Sequence, residues 1–401
     1  MLSPATFLLL LLPLSSGFTL RAFPPVSQLA QLALRPISCS PKGSPSALFL
    51  RSPAPPTPVH LLGTGSSSPS LRLPNAALPA NLDTSDDWIR TRTGITARHL
   101  LPATAGETGA GETMAGLAAD AARRALDMSG VPPAEIDLVI NCCSSPDDLF
   151  GDATTVAAKA GCTNAVAFDL TAACSGFLFG LVTASNFLQG PARNVLVVGG
   201  DALSRWVDWE DRNSCILFGD GAGALVLSSD AGAGGGEGGG GLLGYSMHSD
   251  GKGHGDLMCG GGGGEVEVDT ADGGVTLGKG GYGPITMNGK KVYAFATREV
   301  PAVLTEAMEE AGITVDNIDH LLLHQANIRI METVAKRLKL PMSKVIANLD
   351  EYGNTSAGSI PLALDEAVRS GRVKKGDVIG AAGFGAGLSW GAAILKWSGP
   401  E

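Results

Sequence analysis

The chain has 401 residues, of which 44% are hydrophobic and 17% are charged, a balance that excludes an intrinsically disordered chain. Its 29 basic and 39 acidic residues give a net charge of −10, which is unfavourable for binding nucleic-acid phosphates. Beyond the first residues, no apolar run approaches the roughly 18 residues of a membrane span. The seven cysteines, an odd number without metal-like spacing, favour neither a disulfide framework nor a zinc site. We therefore expect an acidic globular protein without a metal, bound to neither nucleic acid nor a membrane.

Residues 1–57 have the composition of a targeting leader. An apolar core at residues 7–14 is followed by Ser15, Ser16 and Gly17, small residues of the kind that a signal peptidase requires. Residues 18–57 are rich in Ser, Pro, Leu and Ala, carry Arg and contain no acidic residue, as transit peptides do. This order resembles the bipartite leader of algae with secondary plastids, so we expect delivery to the plastid (chloroplast stroma). Plain secretion is the alternative, and it fits poorly with cysteines that show no disulfide pattern.

The chain after the leader contains two copies of one unit. The segments 125–140 and 307–322 are offset by 182 residues. Each indicates a helix closed by a glycine, a short loop with Ile-Asp, and a buried strand. The apolar segments 195–200 and 378–383 follow at nearly the same offset. Several similar pairs in one order indicate an internal duplication.

The duplication predicts an α/β protein of two halves, residues 58–230 and 284–401, with sheets that are buried on both faces. Between them lies a connecting insert, 231–283, with glycine-rich runs at 234–241 and 260–264. Such runs are typical of flexible linkers. We expect loops there, with a hairpin at 266–277.

Three chemically reactive side chains fall at the ends of predicted elements. Cys174 lies between a strand and a helix in the first half, Asn354 holds the corresponding place in the second half, and His324 follows a buried strand. A helix N-terminus stabilises a cysteine thiolate, which can attack a thioester and hold an acyl group. His and Asn can donate hydrogen bonds to a developing oxyanion. Alone, each could be structural: a buried Cys, a core His, a capping Asn. Their shared placement favours one site.

The segments around these residues resemble β-ketoacyl-[acyl-carrier-protein] synthase III. The matching motifs are LTAACSGF at 170–177, HQANIRI at 324–330, YGNTSAGSIP at 352–361, DTSDDWIRTRTGI at 83–95 and GFGAGLSWG at 383–391. The resemblance covers residues 58–397 and implies a thiolase-like, five-layered α-β-α-β-α fold that works as a homodimer. It implies condensation of acetyl-CoA with malonyl-ACP to acetoacetyl-ACP, CO2 and CoA, the initiating step of type II fatty acid synthesis, without a cofactor.

The resemblance also assigns the catalytic roles. Cys174 is the acylated nucleophile, and His324 and Asn354 bind the malonyl thioester oxygen and stabilise the enolate that decarboxylation leaves. The backbone N–H groups of Cys174 and Ala386 form the oxyanion hole of the acyl group. Phe150 matches a residue that closes the acyl pocket of the partner subunit, which favours short primers.

Other residues match positions that contact the substrates in that family. Trp88 and Arg212 match residues that stack the adenine of CoA. The remaining CoA contacts are Arg92, Thr93 and Asn327. The contact with the acyl carrier protein (ACP) falls on Gln325, Ala326, Asn327, Ile328 and Arg329. Lys336 and Arg337, on the helix that follows, extend this basic patch or form an ordinary solvated face.

Three features depart from the bacterial pattern of the family. Ala386 replaces a glycine, which a backbone role tolerates unless the turn needs a positive φ. Lys290 replaces an asparagine, which puts a contact in the CoA channel in doubt. The glycine-rich insert 231–264 is unusual.

Two alternatives remain open at this stage. One is a synthase of the same fold that uses only CoA thioesters. The other is a non-enzymatic acyl-binding protein in which Cys174 is inert. Dinucleotide binding at 219–223 and hydrolase chemistry are disfavoured, because the chain lacks G-x-G-x-x-G there and a G-x-S-x-G elbow at Cys174.

Overall fold

The computed structural model describes residues 58–79, 81–102, 112–230, 240–270 and 273–400, so the predicted leader, 1–57, lies outside the described residues. The strands are β1 (His60–Ser67), β2 (Leu71–Pro74), β3 (Ala97–Leu100), β4 (Leu138–Cys142), β5 (Val166–Leu170), β6 (Asn194–Asp201), β7 (Gly221–Ser228), β8 (Gly241–Ser249), β9 (Leu257–Gly261), β10 (Glu265–Thr270), β11 (Gly273–Gly278), β12 (Tyr282–Met287), β13 (His320–Leu323), β14 (Val345–Ile346), β15 (Val378–Gly385) and β16 (Ser389–Lys396). The helices are α1 (Asp86–Thr93), α2 (Met114–Ser129), α3 (Ala153–Ala160), α4 (Gly176–Phe187), α5 (Arg212–Cys215), α6 (Gly289–Ala311), α7 (Ile328–Arg337), α8 (Leu349–Tyr352) and α9 (Ser359–Arg369).

Two five-stranded sheets repeat one topology. The first has the order β5-β4-β6-β7-β1 and the second β14-β13-β15-β16-β8. In each, the first three strands are parallel and the last two pairings are antiparallel. The sheets confirm the internal duplication.

In both halves, a glycine helix cap and an aspartate hydrogen bond connect a helix to the next strand. Helices α2 and α6 end at Gly130 (φ +69°) and Gly312 (φ +66°), left-handed positions that glycine adopts without strain. Next, Asp137 Oδ2 accepts a hydrogen bond from the Asn194 N–H (3.0 Å) at the start of β6. Asp319 Oδ2 accepts one from the N–H of Val378 (2.9 Å) at the start of β15. The Ile-Asp pair of the repeat therefore aligns the central parallel strands.

Helices and sheets alternate in five layers. Helices α4 and α9 pack between the two sheets, where Phe177, Leu181, Ile360 and Leu364 lie in one buried cluster. Helices α2 and α3 cover the outer face of the first sheet. Helices α6 and α7 cover the outer face of the second sheet. Within the described residues, no helix is both long and apolar enough to cross a bilayer.

The predicted boundary of the second half is wrong. Residues 241–249, placed in the connecting insert, form β8, which pairs with β16 and completes the second sheet. Most of the described part of 240–283 is strand rather than loop, because β9 pairs with β12. The hairpin predicted at 266–277 is confirmed by the pairing of β10 with β11.

Candidate active site

Cys174 lies at a strained junction between β5 and α4. The 3-10 helix Ala173–Ser175 forms this junction, and Ala173 has φ +48°, which non-glycine residues rarely adopt and which is often found at functional sites. The buried Sγ of Cys174 accepts a hydrogen bond from the Ser356 hydroxyl at 3.4 Å. A Cβ added to Gly385 would lie 2.6 Å from the Cys174 nitrogen. The end of β15 therefore approaches the nucleophile so closely that only glycine fits.

His324 follows β13 and is buried. Its Nδ1 lies 2.7 Å from the Ser359 hydroxyl, which accepts a hydrogen bond from the Gln325 N–H at 3.4 Å. Because the Ser359 oxygen accepts this bond from Gln325, its own hydroxyl proton is free to be donated to Nδ1 of His324. Nδ1 is then the acceptor, and the imidazole carries its proton on Nε2. The ring of Phe384 packs edge to face on the imidazole, with centroids 5.4 Å apart.

Asn354 is held by its backbone and by one side-chain oxygen. Its N–H donates to the Leu217 carbonyl (2.8 Å), and its carbonyl accepts from Gly219 (3.0 Å). Its Oδ1 accepts a hydrogen bond from the Ser356 N–H at 2.9 Å. Because the oxygen is engaged in this turn, the amide NH2 group remains the donor available to a ligand.

One cavity of about 140 Å³ is lined by Cys174, His324 and Asn354 together. Its walls include Phe218, Tyr293 and Phe384. A second cavity of about 190 Å³ also begins at Cys174 and is lined by Ser356 and Ala386. The nucleophile therefore lies between two spaces, one of which holds both predicted donors.

Burial governs the protonation of both titratable groups. Burial raises the pKa of Cys174 to about 12, the Ser356 hydroxyl opposes this, and the charge of Asp201 adds to it. The predicted stabilisation of a free thiolate is therefore wrong, because desolvation outweighs the position before a helix. Burial also lowers the pKa of His324 to about 3, so the imidazole is neutral at physiological pH and can act as a hydrogen-bond donor.

Comparisons with known proteins show the family to which this chain is related. Family models for 3-oxoacyl-[acyl-carrier-protein (ACP)] synthase III and for its C-terminal part match residues 168–251 and 308–397. The β-ketoacyl-[acyl-carrier-protein] synthase III of Microcystis aeruginosa is 52% identical over 340 residues, covering 84% of this chain and 97% of the relative. That of Trichormus variabilis is 52% identical over 340 residues, covering 84% and 98%.

This chain belongs to the β-ketoacyl-[acyl-carrier-protein] synthase III family. It is therefore an acyltransferase. Solved synthase III structures confirm the thiolase-like fold. That from Aquifex aeolicus VF5 is 37% identical, with a TM-score of 0.72, covering 84% of this chain and 100% of that chain. That from Pseudomonas aeruginosa PAO1 is 36% identical, with a TM-score of 0.73, covering 86% and 99%.

Three of the residues matched to CoA contacts in synthase III form one cluster. The guanidinium carbons of Arg92 and Arg212 lie 4.5 and 4.9 Å from the ring centroid of Trp88. Arg212 also contacts the Asp83 carboxylate at 3.0 Å. A flat aromatic face between two cations suits an adenine ring with nearby phosphates.

Two predicted contacts are buried inside the protein. The Thr93 hydroxyl donates to the Ile89 carbonyl at 2.7 Å and accepts from the Ile95 N–H at 3.1 Å. Gln325 is buried, and its amide donates to the Leu323 carbonyl at 2.6 Å. Both side chains are structural here, which corrects their assignment to CoA and ACP contact.

The rest of the predicted ACP segment opens helix α7. Asn327 caps the helix, since its Oδ1 accepts from the Arg329 N–H at 2.9 Å, and it lines the cavity of His324 together with Ala326. Ile328 is partly exposed and packs against Gly94, which follows the end of α1. The exposed Arg329 donates to the Thr91 carbonyl at 3.1 Å. Exposed cations continue along α7 at two further positions, Lys336 and Arg337.

The family departures have simple structural outcomes. Ala386 is absent from the described non-glycine residues with positive φ, so alanine fits there without strain, and it lines the cavity of about 190 Å³ at Cys174. Lys290 is exposed in the first turn of α6, next to Gly289, which lines the cavity of His324.

Phe150, the residue matched to the acyl pocket of the partner subunit, is 94% exposed and lines a cavity different from both spaces at Cys174.

Sequence patterns did not identify Ser356, Ser359 or Phe384 as parts of the site. All three lie inside the motifs quoted above, but small hydroxyls and a core aromatic carry no periodic signal. Their importance comes from contacts across 182, 35 and 60 residues of chain, to Cys174 and His324. Among the described residues, no group of three or more metal-ligating side chains occurs.

Proposed function

We propose that this protein catalyses the decarboxylative condensation of acetyl-CoA with malonyl-ACP, which gives acetoacetyl-ACP, CO2 and CoA and initiates type II fatty acid synthesis. Family membership supports this reaction. The observation that carries it is the single cavity lined by Cys174, His324 and Asn354. CoA and ACP thioesters are substrates, and the reaction needs no cofactor.

In the first half-reaction, Cys174 takes the acyl group from CoA. The buried thiol loses its proton as sulfur attacks the thioester carbonyl, and the departing CoA sulfur takes up a proton. The backbone N–H groups of Cys174 and Ala386 stabilise the oxyanion. The Ser356 hydroxyl, 3.4 Å from Sγ, favours the developing thiolate.

In the second half-reaction, the malonyl thioester oxygen occupies the cavity of His324 and Asn354. Imidazole Nε2–H and the Asn354 amide donate hydrogen bonds to this oxygen as CO2 leaves and an enolate forms. The enolate carbon then attacks the acyl carbon on Cys174, the carbon–sulfur bond to Cys174 breaks, and the released thiolate takes up a proton from water to restore the thiol. A neutral His324 suits this role, because its Nε2–H can donate a hydrogen bond without the imidazole being protonated by an acidic partner.

An acidic carrier protein suits the surface beside this cavity. Arg329, Lys336 and Arg337 are exposed on α7, whose first turn borders the cavity of His324. Complementary charge of this kind increases association rates and selects partners. Lys290 is another exposed cation, next to Gly289 in the lining of the cavity of His324.

A homodimer is the proposed assembly. Strand β5 is at the edge of the first sheet, and its Val166 side chain is 68% exposed. Leu149 and Phe150 are also exposed. An apolar sheet edge of this kind is normally covered, and a second copy would place Phe150 near its partner.

The plastid is the proposed location. Support comes from the composition of residues 1–57. The match to the Microcystis relative also covers 97% of that protein but only 84% of this chain. This chain therefore has residues that the relative lacks, as an added leader would give.

Intact-mass spectrometry after mixing with acetyl-CoA tests the first half-reaction. The expected result is one acetyl group on the wild type and none on Cys174→Ser. Addition of malonyl-ACP or malonyl-CoA to the acetylated enzyme then separates the acceptors. Faster discharge by malonyl-ACP supports the proposal, whereas equal discharge by malonyl-CoA favours the synthase that uses only CoA thioesters. A folded wild type without an adduct would contradict an acetyl primer.

A further inference from the structure

A buried carboxylate that no step of the proposed reaction uses lies near the nucleophile. Asp201 is the last residue of β6, the central strand of the first sheet, and it is fully buried. Its Oδ1 accepts hydrogen bonds from the Ser144 N–H at 2.8 Å and from the Ser145 hydroxyl at 2.7 Å. Its Oδ2 accepts one from the Ala357 N–H at 3.2 Å. Oδ2 therefore faces the turn that contains Ser356.

The Ser356 hydroxyl lies between this carboxylate and the nucleophile. It is 3.4 Å from the Sγ of Cys174, and it also forms a hydrogen bond with the Asp201 carboxylate. Ser356 is buried and has φ +50°, a backbone conformation that non-glycine residues rarely adopt and that is often found at functional sites. A hydroxyl has one proton to donate and can also accept. Ser356 can therefore accept the thiol proton while it donates its own proton to Asp201.

His324 is poorly suited to take the thiol proton. Its Nδ1 is occupied by the Ser359 hydroxyl at 2.7 Å, its Nε2 carries the ring proton, and burial lowers its pKa to about 3. Burial has the opposite effect on Asp201, since it raises the pKa of the carboxyl and makes the carboxylate a stronger base. Of these two buried groups, Asp201 is the better proton acceptor.

Transfer of the proton to Asp201 keeps the charge of the site constant. Burial raises the pKa of Cys174, and the charge of Asp201 adds to this effect, because two negative charges in one buried site repel each other strongly. If the thiol proton left for solvent, the site would hold both charges. If the proton moves to Asp201, the carboxylate becomes neutral as the thiolate forms, and one negative charge is present throughout.

Two other thiols adjoin Asp201, those of Cys142 and Cys143. Burial and the charge of Asp201 raise the pKa of both, and Asp169 and Asp152 contribute to the same effect. Neither thiol lines a cavity at Cys174. Both therefore stay protonated at neutral pH and do not compete with Cys174 for the acyl group.

We propose that Ser356 and Asp201 carry the proton of Cys174 during acyl transfer. As Sγ bonds to the thioester carbon and the carbonyl π electrons move to oxygen, the thiol proton passes to Ser356 Oγ, and the hydroxyl proton of Ser356 passes to Asp201 Oδ2. When the carbon–sulfur bond to CoA breaks, the departing sulfur takes up a proton by the reverse path. Ser356 touches the reacting sulfur, and Asp201 acts through Ser356. This proposal rests on acylation of Cys174 in the proposed function.

The test measures the rate of Cys174 acetylation by intact mass between pH 7 and pH 9. In the wild type, the rate should stay nearly constant, because the proton acceptor is internal. In Asp201→Asn, it should fall about 100-fold or more at pH 7, the usual contribution of a general base, and then rise about tenfold per pH unit as hydroxide replaces the carboxylate. Ser356→Ala interrupts the same path and should show the same slope. The double variant should lose less than the product of the two single losses.

Asp220→Asn is the matched control. Asp220 is also a buried carboxylate, and it accepts hydrogen bonds from the Leu101 N–H at 2.7 Å and from the Ser204 hydroxyl at 2.5 Å, away from Cys174. Whatever its absolute rate, this variant should keep the nearly constant pH profile of the wild type. Ser356→Ala removes a single oxygen atom, so it keeps the test valid if Asp201→Asn does not fold.

A constant pH profile in folded Asp201→Asn or Ser356→Ala would overturn the proposal. A wild-type acetylation rate that itself rises about tenfold per pH unit would also overturn it, because hydroxide would then remove the proton, as in alkylation, which releases the thiol proton to solvent. Absence of acetylation in the wild type at every pH would be a different result, since it would remove the proposed function itself.

Discussion

The Ser359 hydroxyl lies 2.7 Å from Nδ1 of His324 and so determines which imidazole nitrogen remains for the substrate. The two residues are 35 positions apart, one after strand β13 and the other at the start of helix α9. The hydrogen bond holds the imidazole at Nδ1, and the ring of Phe384 packs edge to face against the same imidazole. Orientation of the donor is therefore a property of two packed elements rather than of the histidine alone.

Ser359→Ala should impair malonyl decarboxylation more than acylation of Cys174. Loss of the hydroxyl leaves Nδ1 without its partner, which costs about 1–3 kcal/mol, or roughly 5- to 150-fold in rate. The measurement compares release of CO2 from malonyl-ACP with acetylation followed by mass. Ser370→Ala, whose hydroxyl bonds the Ala367 carbonyl at the other end of α9, is the control. Equal loss in both half-reactions would contradict the positioning role.

His324 should make the fold less stable in mild acid. Its pKa is about 3 in the folded protein, below the value of about 6.5 in an unfolded chain. The unfolded state therefore binds more protons between these values, and stability falls as the pH decreases through that window. Between pH 7 and pH 5, the loss is about 2 kcal/mol.

Denaturant unfolding at pH 7 and pH 5 checks this expectation. His324→Gln removes the titrating group, so the wild type should lose about 2 kcal/mol more than the variant over that interval. Equal losses in the two proteins would show that His324 titrates normally.

Alkylation of Cys174 should reveal a thiol that is hard to ionise. With a pKa of about 12, inactivation by iodoacetamide should accelerate about tenfold for each pH unit between 7 and 10, because only the thiolate reacts. Ser356→Ala should slow the reaction at each pH, since the hydroxyl favours the thiolate. A plateau below pH 8 would instead show that the helix N-terminus dominates.

Gly385→Ala should abolish acylation of Cys174. The new Cβ would meet the Cys174 nitrogen at 2.6 Å and displace the backbone donors of the oxyanion hole, and loss of one such donor costs about 100- to 1000-fold. Gly380→Ala, on the same strand, is the control, because its Cβ would make only ordinary contacts of 3.5 Å. Retention of acylation in Gly385→Ala would argue against the oxyanion hole at Ala386.

Charge reversal on α7 should weaken use of the carrier protein specifically. Arg329→Glu combined with Lys336→Glu should raise KM for malonyl-ACP about tenfold or more, with little change for malonyl-CoA, because like charges repel an acidic partner. Lys159→Glu, an exposed cation on α3, is the control. Similar KM values for malonyl-ACP in wild type and variant would remove the ACP contact from this helix.

The amino-acid sequence determined the architecture because its signals are local. Glycine caps, Ile-Asp pairs and apolar strands recur at a nearly constant offset, and they predicted the halves and the element ends where Cys174, His324 and Asn354 lie. The motifs at these ends also identified the family. What the duplication could not predict was β8, since residues 241–249 acquire their place only by pairing with β16, about 150 positions later.

Only the tertiary structure decided the chemistry of the individual side chains. Thr93 and Gln325 belong to matching motifs, yet burial and backbone hydrogen bonds remove them from the substrate surface. The same desolvation reverses the predicted pKa shift of Cys174. The reason is physical: a side chain's solvation and hydrogen-bond partners come from residues distant in sequence, and no local pattern records how close they lie.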